Sequence, residues 1–190
     1  MKSLLLALVA CLGLAGCAGV SVQDYAQASP KLDLRQYFDG RVEGWGMVQD
    51  RSGKVLRRFV VHIDARWQGE KGVLEEHFDW SDGKTEFRRW EIDKAGDRYS
   101  GTAGDVVGTA AGVAAGNALQ WRYTLALPVD GRTWHVQMDD WMYLIDGATL
   151  ANRTEMRKFG FKVAEISIFF RREGAAAKGA PLVVDPPTPR

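Results

Sequence analysis

The chain has 190 residues, and its 25 Lys and Arg residues nearly balance its 24 Asp and Glu residues. A formal net charge of +1 gives no overall positive field for binding nucleic acid, and no polybasic run is present that would hold anionic lipid head groups. Both cysteines, Cys11 and Cys17, lie near the N-terminus, so cysteine catalysis and thiolate metal sites are excluded for the rest of the chain.

The first segment has the pattern of a secretion signal. A positive residue, Lys2, precedes an apolar run over residues 4–14. Because a membrane-spanning helix needs about 20 apolar residues, this run predicts a processing signal and not a span. Residues 14–17 read Leu-Ala-Gly-Cys, which resembles the lipobox of bacterial lipoproteins. We therefore predict a lipoprotein signal peptide over 1–16 and lipidation of Cys17, with a plain secretory signal cut nearby as the alternative.

The lipobox resemblance also implies a location. Such lipoproteins carry a diacylglycerol on the Cys sulfur, and an Asp in the next position resembles an inner-membrane retention signal; here that residue is Ala18. The resemblance therefore implies a chain anchored by lipid in the cell outer membrane and facing the periplasm. The predicted membrane partner is reached through the N-terminal acyl chains, since two or three such chains anchor a protein stably.

Composition divides the mature chain into three parts. Residues 17–37 are mostly small and polar and show no helical stripe, which predicts an acylated N-terminus and a coil-like tether whose last apolar residues dock on the domain. Residues 38–173 form a predicted β-barrel domain. Residues 174–190 are rich in Ala, Gly and Pro, which predicts a disordered tail.

The sequence over 38–173 has regularly spaced turn signals, which are typical of an all-β protein. Asp-Gly pairs, as at 82–83, are strong hairpin signals because both residues tolerate positive φ. Between the turns apolar and polar residues alternate, most clearly over 119–127. Nine strands are predicted, over 41–49, 54–67, 73–80, 85–93, 98–103, 118–127, 132–144, 149–158 and 163–172.

Short turns between nearly all of these strands force an antiparallel meander. Since no long amphipathic helix is available to cover the apolar face, we expect the sheet to close on itself. The predicted fold is an all-β, antiparallel up-and-down, lipocalin-like barrel of eight to nine strands, with room for side chains or one small ligand. A β-sandwich is the competing fold. An outer-membrane barrel is disfavoured because the segment 84–94 is too charged for a lipid-facing wall.

One stretch interrupts the β pattern. Gly recurs at every fourth residue from 104 to 116, separated mostly by Ala, Val and Thr. The run is too short and too polar at its ends for a membrane helix, and it lacks the Lys-Ser/Thr of a phosphate-binding loop. It predicts a long Gly/Ala-rich connection between strands or, as the alternative, a mobile lid over the barrel mouth.

Four runs in the domain carry a family resemblance. They are Phe-Asp-Gly at 38–40 with Gly-Trp-Gly at 44–46; the end of the Gly-rich run with Trp-Arg-Tyr at 121–123; Asp-Asp-Trp-Met-Tyr at 139–143; and Asn-Arg-Thr at 152–154 with the closing Phe-Phe at 169–170. In this order they resemble an uncharacterised family of Gram-negative lipoproteins, domain of unknown function 3833. The resemblance covers roughly 30–173, implies a lipid-anchored periplasmic protein of lipocalin-like shape, and brings no established activity.

Aromatic and sulfur-containing side chains supply a candidate ligand cavity. Trp and Met walls suit an apolar ligand, although they also fill barrel cores. Asp139 and Asp140 are adjacent on a strand and so point to opposite faces; the inward one is expected to pair with Arg153 or Arg122 and to orient a ligand. The predicted cavity residues are Trp121, Tyr123, Trp134, Met138, Asp140, Trp141, Met156 and Arg153. Glu75, His77 and Asp79 share one face of a strand, as a metal site would require, but a solvated outer face explains this spacing better, so neither a metal site nor a cofactor is predicted.

These observations favour a binding protein over an enzyme, because no nucleophile motif is present. The leading hypothesis is a lipid-anchored periplasmic protein that holds a lipid or fatty-acyl ligand in its barrel next to the outer membrane. The first alternative is an enzyme or accessory factor in membrane-lipid modification. The second is a structural module of the envelope whose barrel interior is filled.

Overall fold

The computed structural model describes residues 19–174. The predicted signal peptide over 1–16, the predicted lipidation of Cys17 and all but the first residue of the predicted tail over 174–190 lie outside the described residues. Within 19–174, no helix has both the length and the apolar character that crossing a membrane requires.

Ten antiparallel strands close into one barrel, in which each strand pairs with its chain neighbours and the last pairs with the first. Closure pairs the backbone N–H and C=O groups that would otherwise be exposed on two edge strands. The closed all-β barrel agrees with the prediction, whereas the predicted eight to nine strands are too few. The strands are β1 (Gly40–Asp50), β2 (Val55–Gln68), β3 (Lys71–Trp80), β4 (Thr85–Ala95), β5 (Arg98–Ala103), β6 (Val106–Ala115), β7 (Ala118–Val129), β8 (Arg132–Leu144), β9 (Thr149–Lys158) and β10 (Phe161–Arg172).

The additional strand, β6, is the Gly-rich run, so neither the connection nor the lid predicted for 104–116 is correct. Ala110 and Ala114 are buried, and they alternate with outward residues as in any strand. Gly112 lies between them, where a Cβ would approach Trp121 Cε3 to 2.3 Å. The small inward residues are therefore the complement of a large ring on β7. A register shift after Val107 marks a bulge in this strand.

Alternation along the strands sends one face of each to the barrel interior. On β7, Leu119, Trp121 and Leu125 are buried while Arg122 is exposed. The same alternation holds on β2, where Val61 and Ile63 are buried. The inward faces of nearly all strands join in one core cluster, with a smaller cluster formed by Leu125, Val136, Met138, Met156 and Ala164.

One end of the barrel, here called the closed end, is formed by the turns that join β2 to β3, β4 to β5, β6 to β7 and β8 to β9. A one-turn 3-10 helix (Val22–Tyr25) and a short helix, α1 (Leu34–Tyr37), pack against it. The coil predicted for 17–37 is thus replaced, over its described part, by packed structure. Leu32, Leu34, Tyr37 and Phe38 are all buried and dock on the barrel as expected.

Hydrogen bonds explain why this segment is held at the closed end. The Leu32 amide donates to the Gly116 carbonyl at 2.8 Å, and the Tyr37 hydroxyl donates to the Ala148 carbonyl at 3.0 Å. Asp33 caps α1 by accepting from the amides of its first turn. The segment therefore closes this end of the barrel, and the opposite end, formed by the turns between β1 and β2, β3 and β4, β5 and β6, β7 and β8, and β9 and β10, is called the open end.

Candidate ligand-binding cavity

An internal cavity of about 290 Å³ runs from α1 towards the open end. Leu34 and Phe38 form its floor, and its lining extends to Phe87 and Leu127 near the strand ends at the open end. Most of the wall between them is aliphatic or aromatic, with contributions from Val61, Ile63, Leu74, Phe78, Trp90, Leu125, Ile166, Ile168 and Phe170. The volume lies near the lower limit of the range of about 300–1,000 Å³ for small-molecule pockets.

Four of the predicted cavity residues line this space: Trp121, Tyr123, Asp140 and Met156. Met138 is buried in the smaller core cluster beside the cavity wall. These side chains come from β7, β8 and β9, which the short hairpin turns place side by side.

The other three predicted residues lie outside the cavity, which corrects the prediction. Trp141 and Arg153 follow inward residues and therefore point to the outer face. Trp141 packs on Tyr25 of the N-terminal segment, with ring centroids 6.1 Å apart. Arg153 forms an exposed ion pair with Glu165 at 2.8 Å.

The prediction that Trp134 lines the cavity is wrong for a different reason. It has the inward parity of β8 but lies close to the strand's start at the open end, where it is 41% exposed. The Lys158 ammonium lies 3.7 Å above its ring centroid, which is a cation–π contact. The ring therefore belongs to the surface of the open end.

Asp139 and Asp140 do point to opposite faces, as expected for strand neighbours. Asp139 is the outward one and accepts hydrogen bonds from Gln120 at 2.7 Å and from Arg122 at 3.1 Å. The inward Asp140 therefore has neither Arg122 nor Arg153 as its partner, and the predicted pairing is wrong.

Among the described residues, the cationic side chain that lines the cavity is Arg88, which sequence analysis missed together with Glu76 and Asp105. Glu76 and Arg88 are cross-strand partners on β3 and β4, with 4.0 Å between Oε2 and Nη1. Asp105, in the turn between β5 and β6, accepts from both Nε and Nη2 of Arg88 at 3.0 and 2.6 Å. The alternation of β3 could have identified Glu76, because Glu76 lies between Leu74 and Phe78 on the inward face of the strand.

Burial is the largest cause of the raised pKa values of Glu76, Asp140 and Tyr123 in the cavity. It raises the pKa of Glu76 to about 7, against the opposing attraction of Arg88. It likewise raises the pKa of Asp140 to about 7, although the nearby Thr154 hydroxyl and the charge of Arg88 oppose it. The pKa of the Tyr123 hydroxyl is raised well above its usual value, first by burial and then by Asp140. Two buried carboxyls therefore titrate near neutral pH.

Asp140 also has an unused acceptor. It is only 8% exposed, and its Oδ1 atom has no hydrogen-bond partner among the described residues. Its neighbour on β9, Thr154, donates to Asn152 at 3.1 Å. A buried acceptor without a partner costs free energy unless a ligand or water supplies a donor. Over residues 19–174, no three His, Cys, Asp or Glu side chains form a group that could hold a metal ion.

The open end has an apolar rim. Eight of the twelve exposed large apolar side chains within 19–174 lie within three residues of a strand end or in a turn there. Phe159 is the most exposed of them, at 85%, and has a positive φ of 51° that bulky residues rarely adopt. The rim consists of Val55, Leu56, Phe87, Val107, Trp134, Phe159, Phe161 and Val163.

Together, fold and site define a class: a closed ten-stranded antiparallel barrel with an internal apolar cavity that contains a few convergent polar groups. The chain belongs to the family described as protein of unknown function (DUF3833), whose model matches residues 11–172. This confirms the family resemblance seen in the sequence.

Solved structures similar to this chain include two β-barrels. One is described as a de novo designed fluorescence-activating beta barrel, at 14% identity, covering 75% of this chain and 99% of that chain with a TM-score of 0.42. The other is EF1p2_mFAP2b bound to DFHBI, at 9% identity, covering 80% of this chain and 99% of that chain with a TM-score of 0.43. Both TM-scores are below 0.5, so neither likeness carries an argument about function. No curated protein matches the chain.

Proposed function

We propose that this protein binds one lipid-like amphiphile inside its barrel while it is anchored at the periplasmic face of the outer membrane. The observation that carries the proposal is the cavity of about 290 Å³, whose walls are mostly apolar and which leads to an apolar rim. Apolar walls with a small number of convergent polar groups are the usual composition of a ligand pocket. The open cavity also argues against a barrel whose interior is filled.

The direct test is native mass spectrometry of the full chain purified from its own host, together with titration of Trp fluorescence. Trp90 and Trp121 line the cavity, so a bound amphiphile is expected to change their emission. A protein that carries no copurifying amphiphile and shows no change of emission with any single-chain amphiphile contradicts the proposal.

A matched pair of variants on β10 locates the binding. Ile168 lines the cavity, and its neighbour Ser167 points to the other face of the strand. Ile168→Phe places a larger ring in the cavity and is expected to weaken amphiphile binding about ten-fold or more, because the ligand then competes with the ring for the same space. Ser167→Phe adds a similar ring outside and is expected to leave affinity within about two-fold. Equal effects of both variants on affinity would place the ligand elsewhere.

The packed N-terminal segment supports a proposal for the orientation of the anchored barrel. If Cys17 is acylated, residues 17–21 provide at most about 17 Å of extended chain between the lipid and Val22. Since Val22 belongs to the segment that packs at the closed end, we propose that the closed end faces the anchoring membrane and the open end faces the periplasm.

A fluorophore test checks this orientation in acylated protein bound to vesicles. A label on Asp97→Cys, in a closed-end turn, is expected to be quenched by nitroxide-labelled lipid head groups more strongly than a label on Ser52→Cys, in an open-end turn. The reverse order would overturn the orientation without affecting ligand binding.

A second candidate function, catalysis on a membrane lipid, is favoured by one observation. Glu76 and Asp140 both have a pKa of about 7 beside Arg88, and carboxyls that titrate near the working pH suit general acid–base chemistry. Incubation of the protein with lipid extracted from its host, followed by mass spectrometry, is the test. Turnover by the wild type that Asp140→Asn abolishes would support catalysis, and an unchanged lipid profile would contradict it.

A further inference from the structure

Acidic side chains outnumber cationic ones among the residues that line the cavity. Four lining residues carry carboxyl groups, Glu76, Glu86, Asp105 and Asp140, and the one cationic side chain among the lining residues is Arg88. The overall chain is almost neutral, so this acidic excess is local to the cavity lining. Glu86 is exposed at the open end, whereas Glu76, Asp105 and Asp140 are buried or partly buried. Buried charges of one sign are costly unless an opposite charge or a proton compensates them.

The guanidinium of Arg88 already has two acidic partners. Two nitrogens of Arg88 donate to Asp105, and a third lies 4.0 Å from Glu76. A ligand carboxylate would have to compete with these two acidic side chains for the guanidinium. It would also approach Asp140, whose burial weakens the solvent screening of the repulsion between the two carboxylates. The cavity is thus poorly suited to the anionic end of a fatty acid.

By contrast, the cavity offers unused acceptors. Asp140 Oδ1 is buried, lines the cavity and has no partner among the described residues. Asp105 Oδ1 is in the same condition, because both Arg88 hydrogen bonds go to its Oδ2 atom. An ammonium group has three donors and no acceptor, which is the complement of such a cluster.

We infer that the polar end of the bound amphiphile is a protonated amine, held by Asp140 and the neighbouring carboxyls while its apolar part fills the rest of the cavity. This inference rests on the proposed binding function and specifies its ligand class. Hydrogen bonds between an ammonium and a carboxylate are charge-assisted and therefore stronger than neutral ones.

Amine binding is also coupled to protons. The titratable and charged groups that act on Asp140 from inside the barrel are Glu76 on β3, Arg88 on β4 and Tyr123 on β7, whereas Asp139 acts from the opposite face of β8. Because burial holds Glu76 and Asp140 partly protonated near neutral pH, an arriving cation is expected to displace protons from them. Binding at pH 7 should therefore release protons, which calorimetry in two buffers of different ionisation enthalpy measures directly.

The experiment compares three probes of equal chain length on the full chain: decylamine, decanol and decanoate, each below its micelle concentration. Decylamine is expected to bind about ten-fold or more tightly than decanoate, which is the factor of one charge-assisted hydrogen bond. Asp140→Asn is expected to remove most of that preference while decanol affinity stays within about two-fold. Asp139→Asn, on the outer face, is the matched control and should keep the preference.

The outcomes separate the inference from the proposed function. Binding of decanoate more tightly than decylamine, or an amine preference that survives both Asp140→Asn and Glu76→Gln, would overturn the inference and leave the binding function standing. Failure of all three probes to bind, with no amphiphile displaced from the purified protein, would remove the binding function itself. The wild-type ranking needs no variant, so it remains decisive even if a substituted chain fails to fold.

Discussion

Replacement of Asp140 by Asn tests whether a buried carboxyl in the cavity destabilises the folded barrel at neutral pH. Burial is the main cause that raises the pKa of Asp140 from 3.8 to about 7. The unfolded carboxyl loses its proton near pH 4 and the folded one near pH 7, so the folded state holds the extra proton between these values. The free energy of unfolding contributed by this group therefore falls as pH rises from about 4 to about 7.

The magnitude follows from the size of the shift. One pKa unit corresponds to about 1.4 kcal/mol, so roughly three units make the ionised Asp140 cost the folded state about 4 kcal/mol above pH 7. Asn has nearly the shape of the protonated acid and cannot ionise. The free energy of unfolding of the Asn variant, relative to wild type, should therefore increase by up to about 4 kcal/mol between pH 4 and pH 8. Glu76 is present in both proteins, and its own titration largely cancels.

Urea unfolding of the full chain, followed by Trp fluorescence at several pH values, measures this difference. Asp139→Asn is the control, because its carboxylate lies on the outer face in an exposed pair with Arg122, where such pairs contribute about 1 kcal/mol or less. A stability difference between wild type and Asp140→Asn that stays constant with pH would refute the reasoning, as would an equally pH-dependent Asp139→Asn.

Two further predictions concern β6 and the open end. Gly112→Ala places a Cβ 2.3 Å from the Trp121 ring and should lower the free energy of unfolding by about 1–3 kcal/mol; urea unfolding as stable as wild type would contradict the packing described for β6. Substitution of both Phe159 and Phe161 by Ser removes the two most exposed side chains of the rim and should slow transfer of a fluorescent amphiphile from vesicles about five-fold, from a loss of about 1 kcal/mol of apolar contact. Stopped-flow fluorescence measures that transfer rate. Ile145→Ser, which changes an exposed apolar residue at the closed end, is the control. An unchanged transfer rate in the double variant would show that ligands do not cross the rim.

Strand prediction succeeded where large side chains alternate with polar ones. On β7, Trp121 and Tyr123 face inward and Arg122 faces outward, as the pattern indicates. Prediction failed on β6 because its residues are too small to show a hydrophobic period, although their size suits the ring of Trp121. A propensity argument cannot find such a strand, since the reason for its composition lies on the next strand.

The candidate site was predicted only in part for a related reason. Trp121, Tyr123, Asp140 and Met156 were identified because aromatic, Met and adjacent Asp residues stand out in the sequence. Arg88, Glu76 and Asp105 resemble solvated surface charges when only the sequence is considered. Whether a charged residue faces water or a cavity depends on strand parity and on barrel closure together, and only parity can be read from one strand.

By itself, the sequence determined the all-β class of fold, because turn residues and alternation act over a few neighbouring residues and need no knowledge of distant contacts. The family was indicated separately, by the resemblance of four motif runs. The sequence also predicted an anchor at Cys17, which stays a prediction. The tertiary structure alone decided that ten strands close, that the N-terminal segment seals one end, and that Glu76 and Asp105 meet the Arg88 guanidinium in a cavity that Asp140 also lines. These features depend on residues far apart in the chain, whose proximity arises only when closure brings their strands around a common interior.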